Sequence, residues 1–423
     1  MGTIVKLDPS GGEGGGRRRS RRSKTALVLG GGGFTGGVYE IGALRALDLL
    51  SVNRTVNQFD VYVGTSAGAF VAALCANGIT PEEMMRVVNQ QAPSPFRDVG
   101  LGTFLRPNVL EFARKGALMP LRAAGVLRKV AGQLGQVSAM DIVLGLAEGL
   151  PSGVYSGSGV EGYVRTVLSD PGRSDDFRLL ANELYLAATD LDTCERIVFG
   201  TQGWDDVPIS TAVRASTALP MVYKPVRVKE RELVDGGIVS TTNLDIAVER
   251  GAKFIVVVNP LVPYVNDFTQ TVRTPFGVRQ RRVSDMGLPQ IGYQAFKLMA
   301  YQRLHEIARS WERRYPGVDI VLIEPEASDE LMFQTSVMNF ASRTEIARHG
   351  FQSVTLKLAE DYDAFHAVCA RHGIEISATR VRKVVQHFAV QEPEKVRAWR
   401  KILEQTTGAL LRQSAAGDEP VAG

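Results

Sequence analysis

Apolar residues along the chain follow two rhythms. Short, mainly apolar runs at Thr25–Leu29, Phe59–Val63, Leu184–Ala188, Arg196–Phe199, Arg231–Val234, Phe254–Val258 and Ile320–Ile323 have the length and β-branched character of strands. Between them lie segments with apolar residues at helical spacing, beginning with Val38–Leu50. Strand, helix and strand over residues 25–63 predict a βαβ unit. Ala67–Asn77 reads as a helix of small residues stopped by Gly78, and Pro81 with Glu82 and Glu83 opens another in the manner of a helical first turn. The turn TDLDTC joins the runs at 184–188 and 196–199 as a hairpin. The class is therefore α/β with a mainly parallel sheet.

Residues 92–160 do not continue the alternation. From Phe112 to Met140 there is no acidic residue, while Arg114, Lys115, Arg122, Arg128 and Lys129 punctuate an apolar series that includes Leu118, Met119, Leu121, Val126, Leu127, Val130 and Leu134. A basic amphipathic helix of this kind either lies in an anionic membrane interface or packs as a lid on the core, and both readings stay open. No internal repeat is visible.

Length and charge narrow the function. At 423 residues, 44% hydrophobic and 22% charged, the chain can bury a full core as one large domain with insertions or as two to three smaller ones. A net charge of +4 is too small to argue for nucleic acid, but it is uneven. RRRSRRSK at 17–24 concentrates positive charge in a Gly-rich leader without apolar period, which reads as disordered. SRRSKTALVL imitates an export signal, yet its apolar part is short, runs straight into a glycine loop and lacks a cleavage site. No run reaches the length of a membrane span. Cys75, Cys194 and Cys369 are odd in number, far apart and without CxxC, so neither a disulfide framework nor a zinc site is expected. The cytoplasm is the expected compartment, with the leader and the 112–140 segment offering peripheral contact to an anionic membrane.

Four consecutive glycines, Gly30 to Gly33, stand between the first strand and the first helix. Such a loop serves as a phosphate cradle, an oxyanion hole or a site of close backbone packing, and alone it does not choose. GTSAG, Gly64 to Gly68, has an apolar strand before it and small residues after it, the pattern of a nucleophile elbow with Ser66 at its apex. A serine hydroxyl needs a base. All five histidines, His305, His349, His366, His372 and His387, come after residue 300 in polar helical surroundings that suit a solvated surface, and HEIAR at His305 has Arg309 where a zinc helix needs its second histidine. Asp235 in ELVDGG follows a strand and precedes Gly236 and Gly237, so its carboxylate would be presented on a tight turn.

With the order glycine loop, GxSxG, then DGG, the chain resembles the patatin-like phospholipase family. GGGFTG at Gly31 to Gly36 matches the loop, with Gly31, Gly33 and Gly36 as its GxGxxG glycines; AATDLDTCERIVF at 187–199 and AVRASTALPMVYKPV at 212–226 match the family's stretches ahead of the aspartate. The resemblance implies a three-layer α/β/α fold with the elbow after the second strand and a helical lid insertion. It also implies a lipid acyl hydrolase with a Ser66/Asp235 dyad, an oxyanion hole from the backbone of Gly31, Gly32 and Gly33, and neither metal nor cofactor. The expected organisation is a leader at 1–23, a catalytic domain at 24–358 with 92–160 as lid, and a helical extension at 359–423. Two positions depart from the family: Thr35 stands where Arg or Lys is usual, and Asn243 is followed by Leu244 rather than proline. Cys194, where glycine is common, is expected to be a small buried residue.

Other classes fit less well. A dinucleotide-binding domain needs an acidic residue at the end of the second strand, where this chain has the serine elbow and Asp60 only at the start. A P-loop needs Lys-Ser or Lys-Thr after its glycines, and none follows. A non-catalytic lipid-binding or regulatory relative is the remaining alternative, against which the intact Ser66 and Asp235 argue.

Overall fold

Parallel pairing of β1 (Thr25–Leu29) with β2 (Val61–Thr65) across helix α1 (Gly33–Leu50) forms the expected βαβ unit in the computed structural model. The structure describes residues 23–89, 105–132, 147, 149–269, 271–274, 277–327, 329, 331–332 and 341–391. The leader up to residue 22, residues 90–104, most of 133–148 and everything from 392 lie outside the described residues.

After β2 come α2 (Ala67–Ala76), α3 (Pro81–Val88), α4 (Val109–Gly132), β3 (Gly153–Tyr155) and α5 (Ser158–Leu168). Then follow β4 (Glu183–Asp190), β5 (Arg196–Phe199), α6 (Ile209–Ser216), β6 (Met221–Tyr223), β7 (Val226–Val228), β8 (Arg231–Asp235), α7 (Leu244–Glu249) and β9 (Phe254–Val258). A hairpin of β10 (Thr271–Thr274) and β11 (Gly277–Gln280) leads to α8 (Leu288–Arg309), β12 (Asp319–Ile323), α9 (Arg343–Glu360), α10 (Tyr362–Arg371) and α11 (Ala378–Gln391). Among the described residues the main sheet has the order β12-β9-β1-β2-β4-β8-β7, with β5 paired to β4; β12 through β4 are parallel, β8 pairs antiparallel with both β4 and β7, and β5 pairs antiparallel with β4.

Successive side chains of a strand point to opposite faces, and here both faces are buried. Leu27, Leu29 and Tyr62 pack with α1, α2 and α3 in one hydrophobic cluster, while Ala26, Val28, Val61 and Val63 pack with Leu244, Leu304 and Trp311 in another. The result is three layers, helices on both sides of the sheet, as expected.

The C-terminal helices pack onto the rest of the fold. The division at 358/359 falls between Leu358 and Ala359, both buried in the same cluster as α1, and that cluster continues through Tyr362, Phe365, Val381 and Val385. Helix α9 lies against α1 so closely that a Cβ at Gly42 would sit 2.2 Å from the Ala347 carbonyl oxygen, and one at Gly350 would sit 2.5 Å from that of Tyr39. The pair of glycines is what allows backbone on backbone. Helix α4, within the expected lid, starts where the Asn108 N–H donates to the Val154 carbonyl at 2.9 Å; Val109, Leu110, Phe112, Leu118 and Leu121 are exposed along it, and so are Arg114, Arg122 and Arg128. The side chains of Val126, Leu127, Lys129 and Val130, and the whole of Leu134, lie outside the described residues. No described helix is long and apolar enough to cross a membrane.

Candidate active site

Ser66 stands between the last residue of β2 and the first turn of α2, with φ 55° and ψ −124°. A non-glycine residue with such a φ is strained, and the neighbours hold it there. The Ser66 N–H donates to Ser216 Oγ at 2.9 Å, whose own hydroxyl donates to the Ala187 carbonyl at 2.6 Å, so α6 and β4 brace the turn. From the other side the Gly68 N–H donates to the Gly30 carbonyl at 3.1 Å. A Cβ at Gly68 would lie 2.3 Å from the Leu29 carbonyl oxygen, so only glycine lets α2 seat on the end of β1. Asn243, which is followed by Leu244 where the family has proline, is buried and donates to Thr65 Oγ1 and the Ser240 carbonyl, each at 2.8 Å, while accepting from Arg196 at 2.9 Å. Helix α2 turns its positive end toward the serine.

Asp235 ends β8. Its Oδ2 accepts from Ser66 Oγ at 2.5 Å and its Oδ1 from the Gly237 N–H at 2.7 Å. Its main chain is fixed too: the N–H donates to the Ala218 carbonyl at 3.0 Å and the carbonyl accepts from Thr189 Oγ1 at 3.1 Å. Burial pushes its carboxyl up from 3.8 to about 6, against the hydrogen bonds from Ser66 and Gly237, which pull it down. Desolvation wins because the group is only 3% exposed.

The glycine loop passes beside the serine, with a Cβ at Gly31 placed 3.3 Å from that of Ser66. Its donors are not equivalent. The Gly30 N–H donates to the Val258 carbonyl at 2.9 Å and the Gly31 N–H to the Thr241 carbonyl at 3.0 Å. Gly31, expected as a donor to an oxyanion, therefore has its N–H engaged. Gly32 and Gly33, where α1 begins, donate to no protein acceptor among the described residues. Gly36 lies in the first turns of α1, where its N–H donates to the Gly32 carbonyl at 3.0 Å. Thr35 is buried in the same turns.

Ser66, Asp235 and the glycine loop share one cavity of about 160 Å³, which runs between helices along Val38, Ile41, Val71, Leu74, Met84 and Val167. On α2, residues 67, 70, 71 and 74 line it. At 1.5 Å rise per residue, that face spans about 10 Å. No described histidine lines the cavity.

The histidines are not the solvated residues expected. His305, His349 and His372 are half-buried, and each Nε2 meets a carboxylate: Glu324 at 2.9 Å, Asp329 at 2.5 Å and Asp319 at 2.8 Å. His366 stacks on Tyr362 with ring centroids 5.6 Å apart, and the side chain of His387 lies outside the described residues. Cys194 is likewise exposed rather than buried, at φ 60°, a conformation that explains a preference for glycine there. Sequence reasoning also passed over Glu40, wholly buried in α1, whose two carboxyl oxygens make no well-formed hydrogen bond; burial, opposed only by the nearby Gly30 backbone N–H, holds it well above the usual carboxylate range, as a neutral acid. An acid inside the apolar run VYEIGAL was the available signal.

Fold and site together define a three-layer α/β protein with a serine elbow at the carboxyl edge of its parallel strands. The model of the patatin-like phospholipase family matches residues 27–248, and the chain belongs to that family. Among solved structures it is similar to VipD from Legionella pneumophila (14% identity, 91% of this chain and 80% of that one, TM-score 0.34). It is also similar to the heterodimeric ExoU-SpcU complex from the type III secretion system of Pseudomonas aeruginosa (15%, 99% and 73%, 0.27). A third is human GIVD cytosolic phospholipase A2 in complex with methyl gamma-linolenyl fluorophosphonate (12%, 82% and 60%, 0.33). No curated protein sequence matches the chain.

Proposed function

We propose that the chain is a lipid acyl hydrolase of the serine type. One observation carries the reading: the Ser66 hydroxyl donates to the buried Asp235 carboxylate at 2.5 Å on the wall of an apolar cavity. An acyl chain lies among Val38, Val71, Leu74 and Met84, with the ester carbonyl over Ser66. A carboxylate near 6 is a better base than an ordinary aspartate and is still mostly ionised at neutral pH. As Ser66 Oγ bonds to the carbonyl carbon, its proton passes to Asp235 Oδ2. The charge that develops on the carbonyl oxygen falls to the N–H groups of Gly32 and Gly33, each such donor being worth about 3 to 4 kcal/mol. Collapse breaks the ester C–O bond, and the proton on Asp235 leaves with the alcohol. Water then gives its proton to Asp235 as it attacks the acyl-enzyme, and as the Ser66 Oγ–acyl bond breaks that proton returns to Ser66 Oγ and the fatty acid departs.

Family membership supports a lipid ester as substrate, and phospholipid is the first to test. The exposed apolar side chains of α4, interleaved with Arg114, Arg122 and Arg128, support peripheral contact with an anionic membrane. A fluorophosphonate probe tests the chemistry: labelling of the parent that vanishes in Ser66→Ala is the expected result, and no labelling of folded parent protein overturns the reading.

A further inference from the structure

Three parallel strands end side by side next to the glycine loop, β1 followed by Gly30, β9 by Asn259 and β12 by Glu324. Asn259 and Glu324 are 1% and 2% exposed, so their polar atoms must be satisfied within the protein. Asn259 Nδ2 donates to Glu324 Oε1 at 2.7 Å, and Glu324 Oε2 meets His305 Nε2 of α8 at 2.9 Å. The Asn259 side-chain oxygen accepts from the Leu261 N–H at 3.3 Å, closing a turn on its own backbone around Pro260. The Pro260 ring abuts the loop that carries the free N–H groups. A Cβ at Gly32 would lie 2.9 Å from Pro260 Cγ, and one at Gly36 3.0 Å from it.

We infer that His305, Glu324 and Asn259 form a positioning relay that presses Pro260 against the glycine loop and so sets the aim of the Gly32 and Gly33 donors. The inference rests on the acyl-hydrolase reading. None of the three touches substrate; they act through Pro260. Glu324 needs two donors, the Asn259 amide and an N–H at His305 Nε2. Around this pair, Tyr301 stacks on the imidazole with centroids 3.9 Å apart and Arg309 donates to the His305 carbonyl at 3.2 Å, both from α8. From α1, Tyr39 feels the charges of Glu324 and Asp329; from α9, His349 pairs with Asp329, whose charge also reaches Lys297 of α8.

The relay predicts an unusual rescue. In E324Q the amide oxygen still accepts from Asn259, but its NH₂ group now faces His305 Nε2. An imidazole can turn that nitrogen into an acceptor and keep the line intact; a phenyl ring cannot. E324A loses the line. A misplaced catalytic geometry costs on the order of 10²-fold.

The test is the second-order rate of fluorophosphonate labelling of the full chain from pH 6 to 9, with circular dichroism as the check on folding. E324A and H305F should label roughly 100-fold more slowly than the parent. E324Q should approach the parent rate, and the double variant E324Q/H305F should fall back to the rate of H305F. Parent-like rates for E324A and H305F, or an E324Q that labels as slowly as E324A, overturn the relay while leaving the acyl hydrolase standing. Should E324A fail to fold, E324Q against E324Q/H305F decides alone. A parent that does not label overturns both readings.

Discussion

Lowering the pH from 7 to 5 should slow acylation of Ser66 much more than an ordinary aspartate base would allow. With the Asp235 carboxyl near 6 rather than 3.8, the ionised fraction falls about tenfold across that interval, against a loss of about 6% for an unshifted group. The rate of fluorophosphonate labelling, normalised to folded protein at each pH, reads this fraction directly. Stability runs the other way. The folded pKa is raised, so the stability linked to Asp235 is complete below 3.8 and is lost as pH rises through about 6. The displacement corresponds to about 3 kcal/mol of lost stability at pH 7. Asp235→Asn cannot ionise and keeps an acceptor for the Gly237 N–H. It should therefore match or exceed the parent in urea unfolding at pH 7, by up to about 3 kcal/mol, while labelling drops to background. A labelling rate that stays flat from pH 7 to 5, or an Asn variant that still labels, refutes the assignment of Asp235 as base.

Three further outcomes are expected. Gly68→Ala forces a methyl group to 2.3 Å from the Leu29 carbonyl and should cost about 1 to 3 kcal/mol in urea unfolding; an unchanged midpoint means the elbow is looser than described. Glu40, neutral while buried, contributes stability that is lost as pH rises above the carboxylate range through its raised pKa. Glu40→Gln should thus gain on the parent as pH increases, and parallel unfolding curves at pH 6 and 9 would contradict a buried neutral acid. Paired Leu110→Asp and Leu121→Asp substitutions on α4, or deletion of residues 1–22, should weaken sedimentation with anionic vesicles severalfold; binding equal to the parent's removes that segment from membrane contact.

Much of this was legible from local signals. Strands β1, β2, β9 and β12 are buried on both faces and so read as unbroken apolar runs. Strands β6 and β7, three residues each, were not visible because Pro220 and Pro225 interrupt their stretch and Met221 is exposed. Ser66 and Asp235 stood out because each sits in a short motif whose glycines are needed on the spot. The engagement of the Gly31 N–H could not be read, since its acceptor, Thr241, arrives from a distant part of the chain. For the same reason each histidine looked solvated: the carboxylates that pair with His305 and His372 lie on or next to β12, away from the helices that carry the rings.

The contact of α9 with α1 ties Ser66 to the far end of the chain. The residues matched by the family end at 248, before β9 completes the pairing of β1 and before α9 covers the back of the helix whose first turn holds the free loop donors. A fragment trimmed to the match would leave one edge of β1 bare and an apolar helix face open to water. A protease that cut between α8 and α9 would therefore silence labelling at Ser66 without touching Ser66 or Asp235, and the smallest piece that labels should extend through α11.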